Sequence, residues 1–124
     1  MTPEFVLDSS AILAVSNNEA GAEHAASALL AGKVCSVNLA EVVTKFVGDG
    51  ASFDLARQQV EDLALTIVDF DRDLAVQAGF LRKITSHRGL SLGDRACLAL
   101  AMREKLPTKS CNGSHSVRLT NRWN

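Results

Sequence analysis

The sequence predicts an α/β fold with a central parallel sheet, and three observations carry that prediction. Short apolar runs alternate with longer amphipathic stretches over the first hundred residues; strands that alternate with helices pair in parallel and need cover on both faces. The stretch from Ala96 to Met102 is apolar all the way round, which marks a helix enclosed by the domain. Finally, 124 residues with 47% apolar content are enough to bury roughly two-thirds of the unfolded chain's surface, so residues 1–124 are expected to form one domain with one core.

Each element follows from local signals. Phe5-Val6-Leu7, closed by Asp8-Ser9-Ser10, reads as a buried strand running into a helix N-cap. Ala11 to Val15 continues as a helical turn, and Glu19 to Ala31 as an Ala-rich helix stopped by Gly32. Val34 to Val37 supplies a second strand. Ser36 or Asn38 then caps a helix through about Val47, with Leu39, Val42, Val43 and Phe46 on one face and Gly48 and Gly50 closing it. A helix from Phe53 to about Leu65 buries Phe53, Ala56, Val60 and Leu63 or Ala64. Thr66 to Asp69 is the third strand, and Asp71 caps a helix from Arg72 to about Ser86. After the loop His87-Arg88-Gly89-Leu90, Ser91 opens the enclosed helix.

Composition removes several function classes. Thirteen Lys and Arg against 14 Asp and Glu leave no overall basic field for nucleic acid, so any such role rests on a local site. Cys35, Cys97 and Cys111 are three in number, far apart and without a C-x-x-C pair; neither a disulfide framework nor a thiolate zinc site is indicated, and a reducing cytoplasm fits best. Neither a signal peptide nor a run of roughly 20 apolar residues is present, so no membrane association is expected. All 14 acids lie at or before Glu104, whereas the last twenty residues carry four bases and lose the apolar periodicity. Residues 108–124 are therefore read as an atypical C-terminal segment.

In open parallel sheets, ligands sit beyond the carboxyl ends of the strands. Asp8 directly follows the first strand, Glu41 lies early in the helix after the second, and Asp94 occupies the first turn of the enclosed helix. Converging carboxylates repel one another, and a hard divalent cation such as Mg²⁺ or Mn²⁺ relieves the repulsion and suits phosphate substrates. Each acid also has a plainer reading. Asp8 can cap the helical turn after it. Glu41 points away from the stripe Leu39, Val43, Phe46 and precedes Lys45 by four residues, as a solvated surface pair would, though that direction also suits an open cleft. Asp94 can complete a capping box with Ser91. Glycine-rich nucleotide loops, histidine metal spacings and a nucleophile elbow are missing from the sequence.

Three motifs in order, Val6-Leu-Asp8-Ser-Ser10-Ala-Ile-Leu13, Ser36-Val-Asn-Leu-Ala-Glu41-Val-Val and Gly89-Leu-Ser-Leu-Gly-Asp94-Arg-Ala-Cys-Leu-Ala-Leu-Ala101, resemble the PIN-domain family, and within it the VapC-type toxins of bacterial toxin–antitoxin pairs. The resemblance covers about residues 5 to 107. It implies a PIN-like α/β/α sandwich with a central parallel sheet, Mg²⁺- or Mn²⁺-dependent cleavage of RNA, homodimerisation and neutralisation by a VapB-type antitoxin. By the same resemblance Asp8, Glu41 and Asp94 are the metal-site acids, with Ser10 beside them. Arg95 and Lys45 are candidate phosphate contacts. The apolar faces of the Glu19 helix and of Leu39, Val43 and Phe46 are the expected surfaces for a second copy and an antitoxin helix.

The chain departs from this family at its end. Family members place a fourth acid in a Thr-x-Asp-Arg motif after Leu-Pro; here Leu106-Pro107 is followed by Ser110 and Asn112 at those places. An Asn can hold a water near an ion but adds no charge. Lys109 also interrupts the apolar pattern of the strand expected there. One codon choice for Cys111 to His115, TGC AAC GGA TCG CAC, reads Ala-Thr-Asp-Arg when shifted by one nucleotide, which points to a frame-shifted segment from about Thr108. The competing reading of the chain is thus a catalytically weakened or silent PIN-fold protein that acts by dimerisation or antitoxin binding.

Overall fold

The computed structural model describes residue 3, residues 5–16 and 31–110, and the backbone of 113–115. The elements are β1 (Phe5–Leu7), α1 (Ser9–Ser16), β2 (Gly32–Cys35), α2 (Ser36–Gly48), α3 (Phe53–Asp62), β3 (Thr66–Val68), α4 (Arg72–Thr85), a 3₁₀ turn (Ser86–Arg88), α5 (Leu92–Glu104), β4 (Thr108–Ser110) and β5 (Gly113–His115). The sheet order is β3-β2-β1-β4-β5. Four strands run parallel, and β5 turns back antiparallel on β4. The helix expected at Glu19 to Ala31 lies, up to residue 30, outside the described residues, as do the positions Cys111 and Asn112.

Alternation along the strands sends neighbouring side chains to opposite faces. Val6 and Cys35 join Leu74, Ala78, Leu81, Cys97 and Leu100 beneath α4 and α5, while Leu7 and Val34 join Ile12, Val42, Phe46 and Ala56 beneath α1, α2 and α3. The sheet is therefore covered on both sides, as the alternating pattern predicts. Helix α5 is enclosed, with Ala96, Cys97, Ala99, Leu100 and Ala101 all buried. Asp71 caps α4 by accepting from the Leu74 amide, and Ser52 caps α3 in the same manner.

Several expectations change. Phe53 is 75% exposed, because α3 turns Ala56 inward and leaves its first residue at the rim. Neither Ser36 nor Asn38 caps α2: its N-cap position is Cys35, without a side-chain bond. Ser36 instead accepts from the Phe70 amide, 2.8 Å, and Asn38 is turned into the protein, 1% exposed. Lys109 does not prevent β4. The strand bonds to β1 through Val6 N to Pro107 O and Asp8 N to Lys109 O, and the Lys109 ammonium lies 4.9 Å from the centre of the Phe5 ring, so its stem stays with apolar surface while its charge stays outside. No described helix is long and apolar enough to cross a membrane.

Candidate metal centre

The strand order reverses between β1 and β4, and in an open α/β sheet that switch point leaves a crevice beyond the strand ends. Asp8 stands there. It follows the last residue of β1, and its amide donates to Lys109 O of β4, 3.1 Å. Its Oδ1 accepts from Ser10 Oγ at 2.6 Å and from the Ala11 amide at 3.0 Å. Asp8 is thus the helix cap of the plainer reading. Both side-chain hydrogen bonds of its carboxylate to described residues fall on that one oxygen.

Glu41 reaches the same region from α2. It is half-buried, not the solvated residue paired with Lys45 that helical spacing allows; Lys45 pairs with Asp49 instead, 3.4 Å. Asn38 Nδ2 donates to Glu41 Oε1 at 3.0 Å and to Gly93 O at 3.1 Å. A Cβ built on Gly93 would overlap both Glu41 carboxylate oxygens, so the glycine is what admits the carboxylate against the first turn of α5.

Asp94 is the next residue on that turn. Its carboxylate accepts from the Ser91 amide at 3.0 Å, and Ser91 Oγ accepts from the Asp94 amide at 3.1 Å; the capping box is formed. The three acids come from three parts of the chain, and the charge of each acts on one buried thiol. Burial pushes the Cys97 thiol up, and the charges of Asp8, Cys35, Asp94 and Glu41 push it in the same direction. Cys35 is likewise raised, mainly by burial. Both cysteines are free and buried.

The acids share a rim without meeting at ligand distance. Among the described residues no three His, Cys, Asp or Glu side chains are gathered tightly enough to hold an ion as they lie, and the Asp94 carboxylate is turned back onto its own helix terminus. The donors nevertheless suit a hard cation: three carboxylates and a hydroxyl, all oxygen, with Glu41 seated against Gly93 where a side chain would displace it. Of the candidate phosphate contacts, Arg95 commits its Nη1 to Ala78 O of α4 at 3.0 Å.

Sequence reading missed Asn38 and Gly93 as members of this site. Asn38, Val42 and Phe46 form one i, i+4, i+8 stripe, and a polar residue on a buried stripe signals a required hydrogen bond.

The sequence matches the PIN domain family over residues 5–112. No curated protein gives a significant match. Among solved structures, VapC20 of Mycobacterium tuberculosis, described as a sarcin-ricin loop cleaving toxin, superposes with a TM-score of 0.71 at 18% identity, covering 93% of this chain and 99% of that one. A toxin–antitoxin complex from Klebsiella pneumoniae gives 0.68 at 17% identity, with 86% and 84% covered. DNA-bound VapBC from Salmonella typhimurium gives 0.63 at 19%, with 90% and 88% covered. At such identities these neighbours show the fold, whereas the family match spans the four parallel strands, the enclosed helix and all three acids: the chain belongs to the PIN domain family.

Proposed function

We propose that this PIN domain is a metal-dependent endoribonuclease, the toxin of a VapBC-type toxin–antitoxin pair, working in the cytoplasm. The observation that supports the reading is that Asp8 follows β1 at the switch point of the sheet, that Glu41 of α2 is tied through Asn38 to the first turn of α5, and that Asp94 stands on that turn. The similarity to a VapC toxin and to toxin–antitoxin complexes supports an RNA substrate and an antitoxin partner.

Asp8, Asp94 and Glu41 are the residues that would hold Mg²⁺ or Mn²⁺. Such an ion, when bound, supplies Lewis-acid polarisation of a phosphodiester and makes a water molecule more acidic. The chain's own contribution is arrangement. Ser10 and the Ala11 amide fix one oxygen of Asp8, and Asn38 holds one oxygen of Glu41. A low charge overall means that RNA is gripped at this rim without long-range steering. Purified chain that cleaves RNA equally well with and without a chelator would end this reading.

We propose α4 as the surface that a second copy would meet. Phe46 is buried and Val43 half-buried, so the stripe expected to meet a second copy is spent on the core. Val76, Phe80 and Ile84 instead form an exposed stripe along α4. A two-fold axis through Phe80 sets Val76 against Ile84 of the second copy. It also brings the Asp73 end of one helix to the Lys83 and Arg88 end of the other, so charge complements the apolar stripe at both ends.

A further inference from the structure

We propose that Asn38 is a positioning residue of the metal centre: its amide holds the Glu41 carboxylate in place against the backbone of α5 before any ion arrives. The inference rests on reading Glu41 as an ion ligand. Asn38 is 1% exposed and uses both hydrogens of one NH₂ group, on Glu41 Oε1 and on Gly93 O, 55 residues away in sequence. The amide's orientation is fixed by chemistry, since a flipped amide would aim its oxygen at two acceptors. Asn38 Oδ1 is buried without a partner among the described residues, a cost the chain accepts for these two donations. The same clasp joins α2 to α5, and so ties Glu41 to the turn that carries Asp94. A ligand held this way loses less freedom on binding an ion, which is how groups behind metal ligands raise affinity.

A merely structural Asn38 would pin two helices and do nothing for the ion, and a double-mutant cycle separates the roles. Mn²⁺ binding is measured by calorimetry, and stability by urea denaturation, on the whole chain as wild type, Asn38→Leu, Glu41→Gln and the double variant. Asn38→Leu keeps the side-chain volume but removes both donors, and should weaken Mn²⁺ binding roughly 10- to 100-fold. On the Glu41→Gln background the same change should alter Mn²⁺ affinity by less than about twofold, while still lowering the urea midpoint. Wild-type affinity in folded Asn38→Leu overturns the proposal, as does an equal loss on both backgrounds. Glu41→Gln that binds Mn²⁺ like wild type overturns the reading of Glu41 itself, and the proposal with it. Should Asn38→Leu fail to fold, Gly93→Ala displaces the same carboxylate without touching Asn38; it is expected to show the same loss, and unchanged affinity there also overturns the proposal.

Discussion

Replacing Gly79 and Gly93 by alanine, one at a time, should move stability in opposite directions, although both glycines lie in helices. Gly79 sits in the middle of α4, and a Cβ added there meets nothing within 4 Å. The change removes backbone freedom from the unfolded chain and should stabilise by up to about 1 kcal/mol. At Gly93 the added Cβ overlaps the Glu41 carboxylate. The carboxylate escapes by leaving Asn38, and a hydrogen bond to a charged group is worth about 1.5–3 kcal/mol. Set against a propensity gain of about 1 kcal/mol, the net is a loss of about 0.5–2 kcal/mol. For a domain of this size each kcal/mol moves Tm by about 3–5 °C. Thermal melts followed by circular dichroism resolve the two signs. A Gly93→Ala protein as stabilised as Gly79→Ala would refute the packing of Glu41 on α5.

Asp71 is held below its ordinary 3.8 by the Leu74 amide it caps and by Arg103, 2.8 Å away. A carboxylate lowered in the folded state stabilises above its unfolded value, so Asp71→Ala should melt earlier than wild type at neutral pH. The gap should close as pH falls below 3.8 and through the lower folded value; a gap independent of pH would show that its charge does nothing. Phe80→Glu should convert a dimer to a monomer by light scattering, and a wild type that is monomeric at micromolar and higher concentrations would remove the dimer altogether. Asn112→Asp should raise RNA cleavage if that position returns to the rim, and the gene should show an Asp-Arg pair in a neighbouring frame; bases that admit none end the frame-shift account.

Periodicity made most of the fold legible. The run Phe5-Val6-Leu7 gave β1 with its bounds unchanged, and the all-apolar stretch after Asp94 gave α5 as the enclosed helix, because both signals are dictated by burial alone. Phe53 misled, since an apolar residue at a helix start satisfies the pattern whether or not anything packs on it. The site was half legible. Asp8 and Asp94 follow from chain position at strand and helix ends, whereas Glu41 faces inward only through Asn38 and Gly93, a contact between α2 and α5 that no local pattern encodes. The edge strand β5 went unforeseen for a related reason: pairing with β4 fixes it, not its own sequence.

Asp8, Glu41 and Asp94 are proposed to act together on RNA through a divalent ion. Mg²⁺-dependent cleavage of RNA by the purified chain and by Asp8→Asn and Asp94→Asn, each shown folded by circular dichroism, tests this directly. The wild type should cleave RNA, stop on chelation and recover with Mg²⁺ or Mn²⁺, and neither variant should cleave. Undiminished cleavage by a folded Asp8→Asn or Asp94→Asn protein, with the ion still required, would contradict it.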